Sequence, residues 1–281
     1  MGELHYFPFE EERTDIKDRV IEYWTDRADS FYRIRRDEIE SQKAELWTRE
    51  IKNALVRAGL LGDSDGEDIR KAEGPAGQFK KSDRQAPRLK VLDLGCGAGF
   101  FEVLLGRLGY DLTGIDLTEE MIEKAERMLD FYLPKEAPVR VMTGDAEKLD
   151  FSDESFDLII TRNLTWTLPH PIQAYAEWYR LLKKGGLLLN FDAEYAKGAH
   201  NLKSPENIAH KDIPDEMKDR CHAIYHMLTI SALDRPEWDE EVLRQVGFVD
   251  VATDRNFYQR ALKERDEFYM PDRMFMIEAK K

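Results

Sequence analysis

The chain has 281 residues and a formal net charge of −14, from 42 Lys and Arg against 56 Asp and Glu. This acidity argues against duplex DNA or an anionic membrane as a partner, because both need clustered basic side chains. No apolar run approaches the ~20 residues of a membrane span, and the only two cysteines, Cys96 and Cys221, form no metal-binding pair, so we expect a cytoplasmic protein.

The first part of the chain, residues 1–61, is predicted to be a helical lid. Its start, Met1–Tyr6, has neither the basic nor the apolar character of a signal peptide, so we expect none. Residues 14–36 contain no Gly or Pro, and a second helical pattern of apolar residues ends at Gly59. Residues 62–88 then combine glycine, proline and charge with almost no apolar side chains, which predicts a flexible linker or insertion.

Strands and helices alternate in residues 89–281, the predicted core. Such alternation produces parallel β-α-β units, so we expect an α/β fold with an open, doubly wound sheet. Residues 193–235 interrupt it and are predicted to be an inserted cap. Strands are predicted at Leu89–Leu94, Asp111–Asp116, Val139–Thr143, Phe156–Thr161, Leu187–Asp192, Phe248–Thr253 and Met274–Ala279, and helices at Phe100–Leu108, Thr118–Leu133 (with Thr118 as N-cap), Pro171–Lys184, Asp215–Thr229 and Glu237–Val246.

A glycine-rich turn follows the first core strand, in Val91-Leu92-Asp93-Leu94-Gly95-Cys96-Gly97-Ala98-Gly99. Gly95 and Gly97 allow the backbone to turn sharply and to approach a ligand closely. A dinucleotide-binding turn would need a third glycine where Phe100 stands. Asp93 also places negative charge near the turn, which suits a cationic ligand better than a pyrophosphate.

This turn resembles the first motif of the class I S-adenosylmethionine-dependent methyltransferases. The segment Gly114–Leu117 is similar to the family's next motif, in which an acid (here Asp116) binds the ribose hydroxyls. Gly144–Glu147 is similar to the segment that holds the adenine edge, and two further segments, Ser155–Ile160 and Leu181–Leu189, match the fourth strand and the turn into the fifth. The resemblance covers residues 89–192 in register, and it implies a Rossmann-like sheet of seven strands with helices on both faces.

The resemblance also implies a function, the transfer of a methyl group from S-adenosylmethionine to a small-molecule acceptor by in-line displacement. The overall pattern is most similar to the ubiquinone/menaquinone C-methyltransferase-like group. Holding two reactants in line can supply ~7–11 kcal/mol, so no covalent nucleophile is required. The implied cofactor contacts are Asp93, Gly95, Cys96 (through its backbone), Gly97, Asp116, Leu117, Asp145, Ala146 and Arg162. Asp145 could also be an ordinary turn residue.

Three segments are candidates for holding the acceptor, and the third is the cap at residues 193–235. Tyr23–Tyr32 is similar to a W-x-x-R-A-x-x-F lid segment of many small-molecule methyltransferases, although Trp24 could equally be core. Asn163 and Trp166 follow the fourth strand, where the family places acceptor contacts, and Trp166 could equally be buried. The prolines of the N6-adenine methyltransferase box are missing there, which counts against a nucleic-acid acceptor.

The cap supplies the weak candidates for a general base. His222 and His226 are four residues apart on a predicted helix, and histidine titrates near neutral pH. A metal site that added His200 or His210 would match no strong motif, so we expect no metal. A metal-dependent catechol-type site would need acids after the fourth and fifth strands, and only Asp192 is present.

Two functional hypotheses remain, an enzyme and a non-catalytic S-adenosylmethionine-binding regulator or partner subunit. An intact first motif followed by a cap favours the enzyme. We expect a small-molecule substrate, no nucleic acid and no membrane insertion, and a homodimer is left open. The sequence does not indicate whether N, O, S or C accepts the methyl group.

Overall fold

A computed structural model describes residues 14–62 and 88–281 of the chain. The amino-terminal residues assessed for a signal peptide and nearly all of the predicted linker therefore lie outside the described residues. The strands are β1 (Lys90–Leu94), β2 (Asp111–Asp116), β3 (Val139–Thr143), β4 (Phe156–Arg162), β5 (Leu182–Asp192), β6 (Val249–Asp254) and β7 (Phe275–Lys280). The helices are α1 (Thr14–Glu40), α2 (Gln42–Arg57), α3 (Phe100–Gly106), α4 (Glu119–Tyr132), α5 (Pro171–Leu181), α6 (Asp215–Met227), α7 (Glu237–Val246) and α8 (Phe257–Ala261).

The strands form one sheet in the order β3-β2-β1-β4-β5-β7-β6. The first five are parallel, whereas β7 is antiparallel to both of its neighbours. The chain leaves β1 toward β2 on one side and returns to β4 on the other, so the strand order reverses between β1 and β4. Ligands of open α/β sheets bind at such a switch point, outside the carboxyl ends of the strands. The predicted seven-stranded Rossmann-like fold is confirmed.

Helices cover both faces of the sheet. On one face the fully buried Trp47 of α2 meets Phe101, Phe191 and Phe257 with ring centroids 5.0–5.6 Å apart. On the other face α5 and α7 bury aromatic and aliphatic side chains against the sheet. α1 belongs to both layers, since its first turns pack in one core and Ile39 near its end packs in the other. α2 is therefore part of the core, and only α1 of the predicted lid spans from one layer to the other.

The predicted boundary between the helix after β4 and the fifth strand is wrong. The helix expected to reach Lys184 ends at Leu181, and β5 begins at Leu182, which pairs with Phe156 of β4. The fully buried Leu182 side chain gains more from the sheet than from another helical turn. The strand then bulges through Gly185, whose φ of +77° favours glycine.

The 193–235 segment contains short 3-10 turns (Ala199–Lys203, Ile208–His210 and Thr229–Ala232) and helix α6. α6 packs against α1 and buries Cys221, Ile224 and Tyr225. Among the residues that the structure describes, no helix is long and apolar enough to cross a membrane.

A buried ion-pair centre fixes the carboxyl-terminal half of α1 to the sheet. Glu38 is fully buried, and its carboxylate accepts two hydrogen bonds from Arg162 at 3.0 and 3.1 Å. Arg35 donates to the same carboxylate, and so does the indole of Trp47, at 3.0 Å. The Arg162 guanidinium also lies 4.1 Å from the Trp47 ring centroid. Burial alone would raise the pKa of Glu38, but Arg162 and Arg35 lower it below its ordinary value.

Glu38→Gln should lower the free energy of unfolding by about 3–5 kcal/mol, because it leaves two buried guanidinium groups without a carboxylate. Urea unfolding followed by circular dichroism measures the change. Asp37→Asn is the matched control, since Asp37 is exposed on the same helix and, among the described residues, forms an ion pair with its neighbour Arg36. Equal stability of the two variants would contradict this role of Glu38.

Candidate functional site

A pocket that opens to solvent, about 790 Å³ with its open mouth included, lies at the carboxyl ends of β1, β2, β3 and β4. α1 forms its outer wall with Lys17, Val20, Trp24 and Phe31. The structure brings together most of the predicted contacts, namely Gly95, Gly97, Asp116, Leu117, Asp145, Ala146 and Arg162, with Trp24 and Asn163. Asp93, Cys96 and Trp166 are not in its lining.

Hydrogen bonds and left-handed backbone shape the glycine turn. The N–H groups of Gly95 and Cys96 both donate to the carbonyl of Ile115, at 2.8 and 3.0 Å, so the turn is fixed to the end of β2. Gly97 has a φ of +53°, and a Cβ there would lie 2.9 Å from the Phe31 ring. Any larger residue at 97 would therefore strain the backbone and push against the Phe31 ring. This contact joins the lid directly to the turn.

Asp116 joins β2 to the glycine turn. Its carboxylate accepts the Gly97 N–H at 2.9 Å, the Thr118 N–H at 3.0 Å and the Thr118 hydroxyl at 2.8 Å. Burial raises the pKa of Asp116, although these hydrogen bonds act in the opposite direction. Thr118 stands at the predicted N-cap of α4, but its hydroxyl serves Asp116 and makes no capping hydrogen bond.

The loop after β3 is tied to the start of α1. Lys17 lies 2.5 Å from carboxylate oxygens of both Asp145 and Glu147. Glu147 also accepts the His170 N–H at 2.5 Å and lies 3.1 Å from His170 Nδ1. Burial opposes the charge of Lys17, yet the two carboxylates raise its pKa above the ordinary value. The sequence reasoning missed Lys17, although its seven-residue spacing from Trp24 places both on one face of α1.

Asp93 takes a different role from the predicted one. It is buried beneath the turn beside Glu102 of α3, and the two carboxyl groups act on each other's pKa. Burial and then Glu102 raise the pKa of Asp93, and burial raises the pKa of Glu102 to about 8. One proton shared between two buried acids explains this geometry. Gly114 leaves room for the Glu102 carboxyl group, because a Cβ there would overlap it.

The Cys96 thiol is buried, and burial, followed by Glu102, Asp116 and Asp93, raises its pKa well above the ordinary value. The thiol is therefore protonated and does not line the pocket, so the backbone contact of Cys96 with a cofactor stays a prediction. Its N–H is already engaged by Ile115, as described above.

Asn163 and Trp166, the acceptor candidates that follow β4, differ in whether they line the pocket. Asn163 lines the pocket with a φ of +59°, and its Oδ1 accepts a hydrogen bond from the Tyr195 hydroxyl at 2.6 Å. Trp166 is buried, with its ring 4.7 Å from that of Tyr225 and 5.7 Å from that of Tyr195. Trp166 thus supports the pocket from behind, which favours the buried alternative.

The geometry does not support a general base at His222 or His226. Both are exposed on α6, with their Nε2 atoms 3.3 Å apart, and neither lines the pocket. Asp192, weighed as a metal ligand, is fully buried and pairs with Arg235 at 3.0 Å. Across residues 14–62 and 88–281, no group of three or more His, Cys, Asp or Glu could hold a metal ion.

Comparisons with known proteins match the part of the chain that supplies most of the pocket. Residues 92–190 match the family model described as "Methyltransferase domain". The chain is 37% identical over 134 residues to the arsenite methyltransferase of Mus musculus, covering 43% of this chain and 34% of that protein. It is 35% identical over 117 residues to the malonyl-[acyl-carrier protein] O-methyltransferase of Erwinia billingiae (strain Eb661), covering 41% and 43%.

Among solved structures, phosphoethanolamine N-methyltransferase 2 of Haemonchus contortus in complex with S-adenosyl-L-methionine has a TM-score of 0.51 at 17% identity. The similarity covers 88% of this chain and 60% of that one, and it supports the fold. The chain spans less than two thirds of the length of these curated relatives. Residues 92–190 thus match a methyltransferase domain, in agreement with the seven-stranded Rossmann-like sheet.

Stability should fall as the pH rises from 4.5 to about 8, because the folded protein keeps a proton on Glu102 that the unfolded chain releases. Glu102→Gln should flatten this part of the profile, since an amide cannot ionise. Urea unfolding at successive pH values measures both slopes. Glu123→Gln, on the exposed face of α4, is the control and should keep the wild-type slope. Parallel profiles for Glu102→Gln and wild type would contradict the shared proton.

Proposed function

We propose that this protein transfers a methyl group from S-adenosylmethionine to a small-molecule acceptor. The observation that carries the proposal is Asp116, a carboxylate at the end of β2 that is hydrogen-bonded to the glycine turn and lines a pocket roofed by α1. A carboxylate so placed suits the two hydroxyls of a ribose, because ionised acceptors form strong hydrogen bonds.

The residues in the pocket fit the cofactor. Positions 95 and 97 favour glycine, because both have a positive φ and a Cβ would lie 3.0 Å from Leu164 and 2.9 Å from Phe31; the backbone of the turn is therefore accessible to a ligand in the pocket. We assign Asp116 to the ribose, Asp145 and Ala146 to the adenine, and the backbone of Gly95 and Gly97 to the methionine portion. The bound cofactor supplies an electrophilic methyl group on a sulfonium.

The chain's own contribution is positioning and exclusion of water. α1 closes over the pocket through Trp24 and Phe31, whose ring centroids are 5.4 Å apart. Asn163, held by Tyr195, borders the pocket next to Arg162. The left-handed backbone of Asn163 is a strained conformation of the kind that accumulates at functional sites. We infer that Asn163 contacts the acceptor and that alignment supplies most of the catalysis.

The acceptor is proposed as a small molecule. The matched relatives, by their names, act on arsenite and on malonyl-[acyl-carrier protein], so they do not agree on one acceptor. The ubiquinone/menaquinone C-methyltransferase-like subgroup stays a prediction from the sequence resemblance, as do a cytoplasmic location and a homodimer.

Asp116→Asn should weaken the binding of S-adenosylhomocysteine by ~10-fold or more, equivalent to ~1.4 kcal/mol, because a neutral amide replaces the charged acceptor. Isothermal titration calorimetry measures the affinity. Asp111→Asn is the matched control, because Asp111 lies at the opposite end of the same strand and pairs with Arg140. Equal affinities of Asp116→Asn and wild type would remove Asp116 from the site.

A turnover assay distinguishes a methyltransferase from a non-catalytic S-adenosylmethionine-binding regulator. Incubation with methyl-labelled S-adenosylmethionine and a metabolite extract should yield S-adenosylhomocysteine and a labelled small molecule, both detected by mass spectrometry. The Asp116→Asn variant is the matched low-activity control. Binding of the cofactor without product from a broad range of extracts would favour the regulator.

A further inference from the structure

Three arginines meet beside the pocket. Arg27 and Arg35 lie eight residues apart on the inner face of α1, and Arg162 approaches from the end of β4. Arg27 is 3% exposed, Arg35 is 8% exposed and the Arg162 side chain is 9% exposed. Arg35 is electrostatically coupled to both of the others. We call these three residues the arginine centre.

The arginine centre has more positive than negative charge. Glu38 is the only carboxylate within ion-pair distance of it in the described ranges 14–62 and 88–281, and it serves Arg35 and Arg162. Arg27 has no carboxylate partner there, and its Nη1 donates to the neutral Ser30 hydroxyl at 2.9 Å. Two of the three guanidinium groups thus share one carboxylate, and the third has none in those ranges. Burial is costly for a cation unless it is paired.

Several polar atoms of the centre lack a partner. The Nε atoms of Arg27, Arg35 and Arg162 are buried without a hydrogen bond, and so is Nδ1 of His210, from the cap. Burial, then Arg27, Arg35 and Lys218, lowers the pKa of His210 to about 3, so its ring is neutral and adds no charge. Most buried polar groups in native proteins are hydrogen-bonded, so several unsatisfied atoms in one place call for an explanation such as a bound anion.

The surroundings connect the centre to the acceptor side of the pocket. Tyr195 interacts electrostatically with Arg35 and Arg162, and its hydroxyl holds Asn163. Arg35 lies 4.7 Å from the ring centroid of Phe31, which lines the pocket. Asp272 also acts on Tyr195, and it accepts a hydrogen bond from Asn201 at 3.0 Å. α1, the end of β4 and the cap, the three segments expected to hold the acceptor, thus converge at the centre.

We propose that the arginine centre binds an oxyanion, a carboxylate or a phosphate, carried by the acceptor, so that the protein methylates an anionic small molecule. This inference rests on the proposed function and adds the chemical class of its substrate. Arginine suits the role because its planar fork matches the oxygens of carboxylates and phosphates. An anion there would offset the excess charge and use donors that have no other partner.

The rival source of an oxyanion is the cofactor, which has a carboxylate of its own. Arg162 lines the cofactor pocket and suits that group, whereas Arg27 and Arg35 are not in the lining. A comparison of S-adenosylhomocysteine with its decarboxylated analogue distinguishes the two sources. If Arg27 and Arg35 recognise the acceptor, replacing either one should weaken the binding of S-adenosylhomocysteine and of its decarboxylated analogue equally, or should weaken neither.

The test uses protein saturated with S-adenosylhomocysteine and two probes, inorganic phosphate and malonate, titrated by calorimetry at constant ionic strength. Wild type should bind at least one probe saturably, and the stronger probe identifies phosphate or carboxylate. Arg27→Met should weaken that binding by ~10-fold or more. Arg33→Met, which removes the same charge from the exposed face of the same helix, should not.

Thermal unfolding of the free protein gives a second readout. Arg27→Met should unfold at the same or a higher temperature than wild type, because it removes an unpaired buried charge. A purely structural arginine would instead lower the unfolding temperature. Arg27→Lys, which keeps the charge, should restore part of the probe affinity.

Three results would overturn the inference. The first is saturable binding of S-adenosylhomocysteine with no binding of either probe. The second is a loss of the preference for S-adenosylhomocysteine over its decarboxylated analogue in Arg27→Met. The third is destabilisation of free Arg27→Met with unchanged probe affinity. Failure of the wild type to bind S-adenosylhomocysteine would instead overturn the proposed function, and this inference with it.

Discussion

The carboxylate of Glu38 is buried between Arg35 and Arg162, and this ion-pair centre holds α1 against the carboxyl end of β4. The helix has 27 residues, so at 1.5 Å per residue it is about 40 Å long, enough to reach from one helical layer to the other. Because α1 is fixed in this way, Phe31 lies on the glycine turn. The wall of the pocket, the exposure of Asp116 and the position of the arginine centre all depend on that docking.

A second buried network supports the pocket from behind. Arg235 donates to both Asp192 and Asp239 at 2.8–3.0 Å, and Tyr175 donates to Asp239 at 2.5 Å. Asp192 also accepts the backbone N–H of Trp166 at 3.0 Å, which orients the loop after β4. Buried networks whose members are satisfied in this way restrict a loop to one conformation. The cap is thereby joined to the strand that positions Asn163.

The sequence allowed prediction of those features that local physics determines. The positive φ angles of the glycine turn require glycine, and the strand carboxyl ends bring Asp116 and Asp145 together by topology alone. The role of Asp93 could not be predicted, because it depends on Glu102, which follows the turn and meets Asp93 only in the folded layer. Periodicity likewise could not reveal the Lys17 contacts, since they connect residues more than a hundred positions apart.

The dependence on contacts between distant residues also explains the other differences between the predictions and the structure. A pair of histidines four residues apart has the same pattern on an outer face as in a site, so the exposure of His222 and His226 follows only from the docking of α6. The end of α5 was decided by pairing of Leu182 with β4 against the helical preference of Lys183 and Lys184.

Two of the ion pairs that hold α1, one at Glu38 and one at Lys17, differ in their access to water. Glu38 is sealed from solvent, whereas the side chains of Lys17 and Asp145 are 31% and 34% exposed. Salt ions can therefore compete for the pair at the amino end and cannot reach the other. Raising the ionic strength should therefore weaken the attachment of the amino end of α1 more than the attachment of its carboxyl end.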